Sequence, residues 1–211
     1  MRCNGIVGSG SCQTLQHRLI VRIISFMELH RKRQSMRLPE YDYSLPGAYF
    51  ITACTVNREL LFVLPEAKIA VASAWHSVLD VFANIELGEF VVMPNHIHGI
   101  VWIKGEGAYR LHPGTWKMDN DNRRRGGQLL APTAANPEYV TLSNIIGAFK
   151  TTAATRINKL RGILGLSVWQ KSFYDRIVRN QRELEQIQRY ISHNPIQWTK
   201  DLDNPANPKY G

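Results

Sequence analysis

The chain has 211 residues, 44% of them hydrophobic and 20% charged, which suits one globular domain with a real core, with or without tails. Its 26 Lys and Arg against 17 Asp and Glu give a formal charge of +9, so an anionic partner is expected, with nucleic acid the commonest kind. Three cysteines without CxxC spacing argue against a disulfide framework or a cysteine zinc site and suggest a reducing, cytoplasmic setting, and no apolar run approaches the ~20 residues that span a bilayer.

In chain order, residues 1–30 do not conform to the pattern of the rest of the chain. The apolar run Leu19–Met27 is short and interrupted by Arg22, a poor signal peptide, and Met27 is an alternative start. Residues 27–40 are basic, with Arg31, Lys32, Arg33 and Arg37, as in a solvated arm. A strand is expected from Gly47 to about Val56. Residues 66–84 read as a helix, with Ile69, Ala72, Trp75, Val78, Leu79 and Phe82 near 3.6 spacing and Pro65 at the first turn.

Two strands come next, roughly 86–93 and 96–103, joined as a hairpin by the turn formers Pro94 and Asn95. Residues 104–138 are a long basic loop. A second helix is expected over 141–161, opened by Thr141 or Ser143 and closed by Gly162. A short strand near 172–178 precedes a third helix over 181–194, ended by Pro195, and 201–211 reads as coil. The order β-α-β-β-α-β-α predicts an α+β, ferredoxin-like (RRM-like) antiparallel sheet over 31–200 with one additional C-terminal helix.

His96 and His98 stand one residue apart at the start of a strand, so alternation puts both on one face. A lone histidine is ordinarily a hydrogen-bonded core residue. A same-face pair beside a turn is half of a metal site, and its remaining ligands must come from elsewhere. On the third helix, Leu184, Ile187 and Ile191 form an apolar stripe. Tyr190 and Asn194 lie i,i+4 on its flank, at the border of core and water.

Pro94-Asn95-His96-Ile97-His98, then Trp169-Gln170, then Tyr190-Ile191-Ser192-His193-Asn194-Pro195, resemble the REP-associated tyrosine transposases of the HUH superfamily. Arg37–Tyr43, Pro46–Phe50 and Asn144–Lys150 resemble further segments of that family, in the same order. The resemblance implies that His96 and His98 bind a divalent cation, magnesium or manganese, and that Tyr190 is the nucleophile. Asn194 matches the position of a third polar ligand, often glutamine in the insertion-sequence relatives. Cleavage of single-stranded, hairpin-bearing DNA through a 5′-phosphotyrosine, followed by strand transfer, is the implied activity. Monomer and homodimer both occur among the relatives.

Tyr174 is a rival nucleophile without an i+4 ligand partner, and a sheet-face aromatic is the better reading of it. Lys150, Arg156 and Lys159 on the second helix, and Arg123, Arg124 and Arg125 in the long loop, are candidate contacts to the DNA backbone. Trp102, Trp116 or Trp169 could stack on bases. Two other readings stay open: a catalytically silent DNA-binding protein derived from a transposase, and an unrelated metal hydrolase that joins the two histidines with an Asp or Glu.

Overall fold

Four strands pair in an antiparallel sheet whose order places the first strand in the middle. The computed structural model describes residues 41–105, 107–110, 140–201 and 203–207. The chain divides into two units, Met1–Leu38 and Pro39–Gly211, and the described residues all belong to the second. Along it run β1 (Gly47–Cys54), α1 (Pro65–His76), β2 (Phe82–Ala83), β3 (Ile85–Val92), β4 (His96–Ile103), β5 (Tyr109–Arg110), α2 (Leu142–Leu160), β6 (Tyr174–Val178) and α3 (Gln181–His193). The sheet order is β3-β4-β1-β6, with β2 and β5 forming a separate two-stranded ribbon. This is the ferredoxin-like α+β arrangement, with α3 as its additional helix.

The helix expected over 66–84 is shorter than its periodicity suggests. The α-helix ends at His76, a 3-10 turn runs from Ser77 to Asp80, and Phe82–Ala83 becomes a strand of the small ribbon. Asn84, at φ 56°, then turns the chain into β3. Apolar residues in a 3-10 turn and a short strand can keep facing one core, so the helical spacing overruns the helix.

α2 ends as its sequence suggests. Gly162 takes φ +66°, and the N–H groups of Gly162 and Ile163 return to the carbonyls of Lys159 and Asn158 at 3.2 and 3.0 Å. The left-handed conformation costs glycine little and closes two otherwise open carbonyls.

The two faces of the sheet do different work. Ile97, Val101 and Ile103 of β4 join Tyr49, Ile51 and Ala53 of β1 in the main core, with Trp75 of α1 and Phe149 and Ile157 of α2. Gly99 lies in the same row, and a β-carbon there would stand 2.7 Å from Trp75 Cζ2 and 3.0 Å from Phe90 Cδ2. Trp75 stacks on Phe90 at 4.6 Å, so glycine is what lets the indole lie against the strand. The opposite face carries Phe50, His96 and His98. α3 covers it with Leu184, Ile187 and Ile191 buried.

α3 is fixed at its start. The Asn180 side chain accepts from the Glu183 N–H at 2.9 Å, and Glu183 binds Arg176 of β6 at 2.5 Å. Farther along, Gln188 donates to Glu89 of β3 at 2.9 Å. Pro195 ends the α-helix without ending the turn, because residues Asn194–Lys200 continue as a 3-10 helix. Among the described residues no helix is long and apolar enough to cross a membrane.

Candidate metal and nucleophile site

β4 delivers His96 and His98 to one face, as period-2 alternation requires. Both rings are buried, at 0% and 1% exposure, and their Nε2 atoms lie 3.0 Å apart. The outer nitrogens are held from behind. His96 Nδ1 meets Asn95 Oδ1 at 2.8 Å, and His98 Nδ1 meets Thr52 Oγ1 of β1 at 2.7 Å. The His98 ring also stacks on Phe50. Burial, followed by the neighbouring His96, keeps His98 neutral to well below the ordinary imidazole pKa.

α3 brings Tyr190 to the same point, with its hydroxyl 3.3 Å from His98 Nε2. The phenol is half-buried at the helix flank and packs edge-on against Phe50 and His98. Burial, then the negative charges of Asp201 and Asp203, push its pKa well above that of a free phenol. A hydrogen bond from the Asn194 side chain pulls the other way. Asn194 itself is 4% exposed, deeper than a border position, because the 3-10 turn folds it under the chain.

A further carboxylate completes the cluster. The 3-10 helix Asn194–Lys200 leads on to Asp201, whose Oδ2 comes within 3.7 Å of His96 Nε2. Ligand atoms of His96, His98 and Asp201 all lie within 4.8 Å of one another. Asp201 is a residue that sequence reasoning misses, since it lies in an irregular stretch without periodicity. The preceding Tyr190–Pro195 run is the one signal that the chain returns to the histidines. Asp203 is engaged nearby in a salt bridge with Arg58.

Two imidazole nitrogens and a carboxylate suit a divalent cation that takes nitrogen and oxygen ligands. His96, His98 and Asp201 would hold it, and the Asn194 side chain lies against Tyr190. The outer hydrogen bonds leave both Nε2 atoms facing inward, the arrangement that metal-binding histidines need.

The remaining candidate residues lie elsewhere on the fold. Tyr174 lies on β6 against Phe50, and burial raises its pKa. Trp169 is in the core, packed on Phe62 and Phe149, whereas Trp102 is half-buried with Lys104 Nζ 5.3 Å from its ring. Lys150 is tied to the carbonyls of Gln170, Lys171 and Ser172 at 2.6, 3.3 and 3.4 Å, and burial lowers its pKa to about 8. Arg156 bridges to the hydroxyls of Ser73 and Ser77 at 2.7 and 2.8 Å, joining α2 to the α1 side. Lys159 is exposed on α2. None of the three contacts the histidine cluster. Trp116, Arg123, Arg124 and Arg125 lie outside the described residues.

No family model matches the chain. Among solved structures it is similar to a REP-associated tyrosine transposase bound to a REP hairpin, at 18% identity and a TM-score of 0.48 over 78% of this chain and 74% of that one. It is also similar to a candidate transposase from Deinococcus radiodurans, at 17% identity and a TM-score of 0.39 over 75% of this chain and 97% of that one. In sequence it is 32% identical over 177 residues to an uncharacterised protein of Haemophilus influenzae, covering 80% of this chain and 91% of that protein. At that identity and coverage, the chain belongs to the same family as the Haemophilus influenzae protein.

Proposed function

We propose that the protein is an HUH tyrosine transposase. In this reading it cleaves and rejoins single-stranded, hairpin-bearing DNA, with Tyr190 as nucleophile and a magnesium or manganese ion held by His96, His98 and Asp201. The observation that carries the reading is the meeting of the Tyr190 hydroxyl with His98 Nε2 at 3.3 Å, beside the paired histidine nitrogens and a carboxylate. A tyrosine covering a core edge has no need of such neighbours. The motif resemblance over residues 31–200 and the net charge of +9 agree with it.

The phenol oxygen attacks phosphorus. The oxygen–phosphorus bond forms as the bond to the 3′ oxygen breaks, and one proton passes in net from the phenol to the departing 3′-hydroxyl. The new 5′-phosphotyrosine conserves the phosphodiester, so a 3′-hydroxyl can reverse the step and join strands. A bound divalent cation would supply Lewis-acid polarisation of the scissile phosphate. The chain's own residues supply the rest. α3 fixes the phenol, Phe50 and His98 orient it, and burial with Asp201 and Asp203 holds it in the protonated form.

Incubation of the protein with a 5′-flanked DNA hairpin and Mg2+ or Mn2+ tests this directly. The parent is expected to form a covalent protein–DNA adduct, and Tyr190→Phe to form none while retaining hairpin binding. An adduct of parental yield on the Tyr190→Phe protein would remove Tyr190 from its role. A parent that binds the hairpin but never cleaves it would favour the silent DNA-binding protein.

A further inference from the structure

Asn95 reads as a turn former, yet a turn residue is ordinarily exposed and this one has no exposed surface. Its amide nitrogen donates to two backbone carbonyls, Arg58 O at 3.2 Å and Asp203 O at 2.6 Å. Turning the amide over would set its oxygen against both carbonyls, acceptor against acceptor. Oδ1 is therefore the atom that faces His96 Nδ1 at 2.8 Å. An amide oxygen only accepts, so Nδ1 of His96 must carry the proton. In the neutral ring Nε2 is then a lone pair directed at Asp201 and His98.

His98 is held differently. Its Nδ1 faces the Thr52 hydroxyl at 2.7 Å, and a hydroxyl can donate or accept by rotating. Its Nε2 can bind a cation when the ring hydrogen sits on Nδ1, with the Thr52 hydroxyl as acceptor.

We propose that Asn95 is a positioning residue that locks His96 in the Nδ1-protonated tautomer, while Thr52 leaves His98 able to adopt either one. The lock is set by two distant segments, because the carbonyls that orient Asn95 come from residue 58 and from residue 203, two positions beyond Asp201. Seating of the C-terminal segment thus fixes the tautomer of His96 and delivers the carboxylate beside it. The value of the lock for cation binding rests on the proposed metal site of His96, His98 and Asp201. The lock itself rests on the hydrogen bonds of Asn95 alone.

Two measurements separate the lock from the metal site. Long-range 1H–15N NMR of the parent in EDTA is expected to show His96 with hydrogen on Nδ1. Hydrogen on Nε2 of His96 with none on Nδ1 would overturn the proposal without any variant having to fold. Mn2+ titration followed by electron paramagnetic resonance is expected to show about 10- to 100-fold weaker binding for Asn95→Ala than for the parent. Parental affinity in a folded Asn95→Ala protein would equally overturn it. If the parent binds no Mn2+, the metal reading fails, and the NMR arm still decides the lock.

Discussion

Replacing Gly99 by alanine should harm the fold in proportion to one close approach. The added methyl would lie 2.7 and 2.9 Å from Cζ2 and Cη2 of Trp75 and 3.0 Å from Phe90 Cδ2. Neither ring can retreat freely. Trp75 is stacked on Phe90 at 4.6 Å and meets Phe149 edge-on at 5.2 Å. Overpacking of this kind costs about 1–3 kcal/mol, against which reduced freedom of the unfolded chain returns about 0.4–1 kcal/mol. A net loss of about 1–2 kcal/mol is expected, lowering the thermal midpoint by roughly 2–8 °C for a chain of this size. Urea denaturation and thermal melts followed by circular dichroism measure it. Trp75→Phe sharpens the test, since phenylalanine lacks the two indole atoms nearest the new methyl. Gly99→Ala should then cost at least about 0.5 kcal/mol less in the Trp75→Phe background than in the parent. Equal costs in both backgrounds, or a Gly99→Ala protein as stable as the parent, would refute the packing argument.

Two further outcomes are expected at the site. Asp201→Asn keeps the shape but removes the charge 3.7 Å from His96 Nε2, and should weaken Mn2+ binding about tenfold or more by isothermal titration. An unchanged affinity would take Asp201 out of the ligand set. Because burial and His96 hold His98 neutral well below 6.5, the unfolded chain takes up that proton first. Stability in EDTA should be complete above pH 6.5 and decline below it, by up to ~1.4 kcal/mol per pH unit from this group. Denaturation curves between pH 7.5 and 5 check the decline, and a slope identical in His98→Gln would assign it to other groups.

The sheet and its helices are readable because burial imposes periods of 2 and 3.6 on the sequence. Alternation in Ile97-His98-Gly99-Ile100-Val101 already separates two faces. The same logic overruns at the first helix, where Val78 and Phe82 keep facing the core after the α-helix has ended at His76. What is illegible depends on distant chain reversals. Asp201 reaches His96 only because Asn194–Lys200 tightens into a 3-10 turn, and no local pattern announces where such a turn will point. Asn95 looks like a turn residue and is one. Its second task needs the carbonyls of residues 58 and 203, which nothing in its own neighbourhood reveals. Arg156 reads as a candidate contact to the DNA backbone, and two serine hydroxyls on the α1 side hold it.

The alternation of β4 also ties correct assembly to competence. Were the strand to slip by one residue against β1, His98 would be driven against Trp75 and Ile97 would take its place beside Tyr190. That slipped protein would put an imidazole into an apolar core and leave isoleucine where the Tyr190 hydroxyl now meets a ring nitrogen. A misaligned chain is therefore penalised in stability before it can present a face without the paired histidines. Molecules that survive long enough to meet a partner have already had the placement of both histidines checked by the packing behind them.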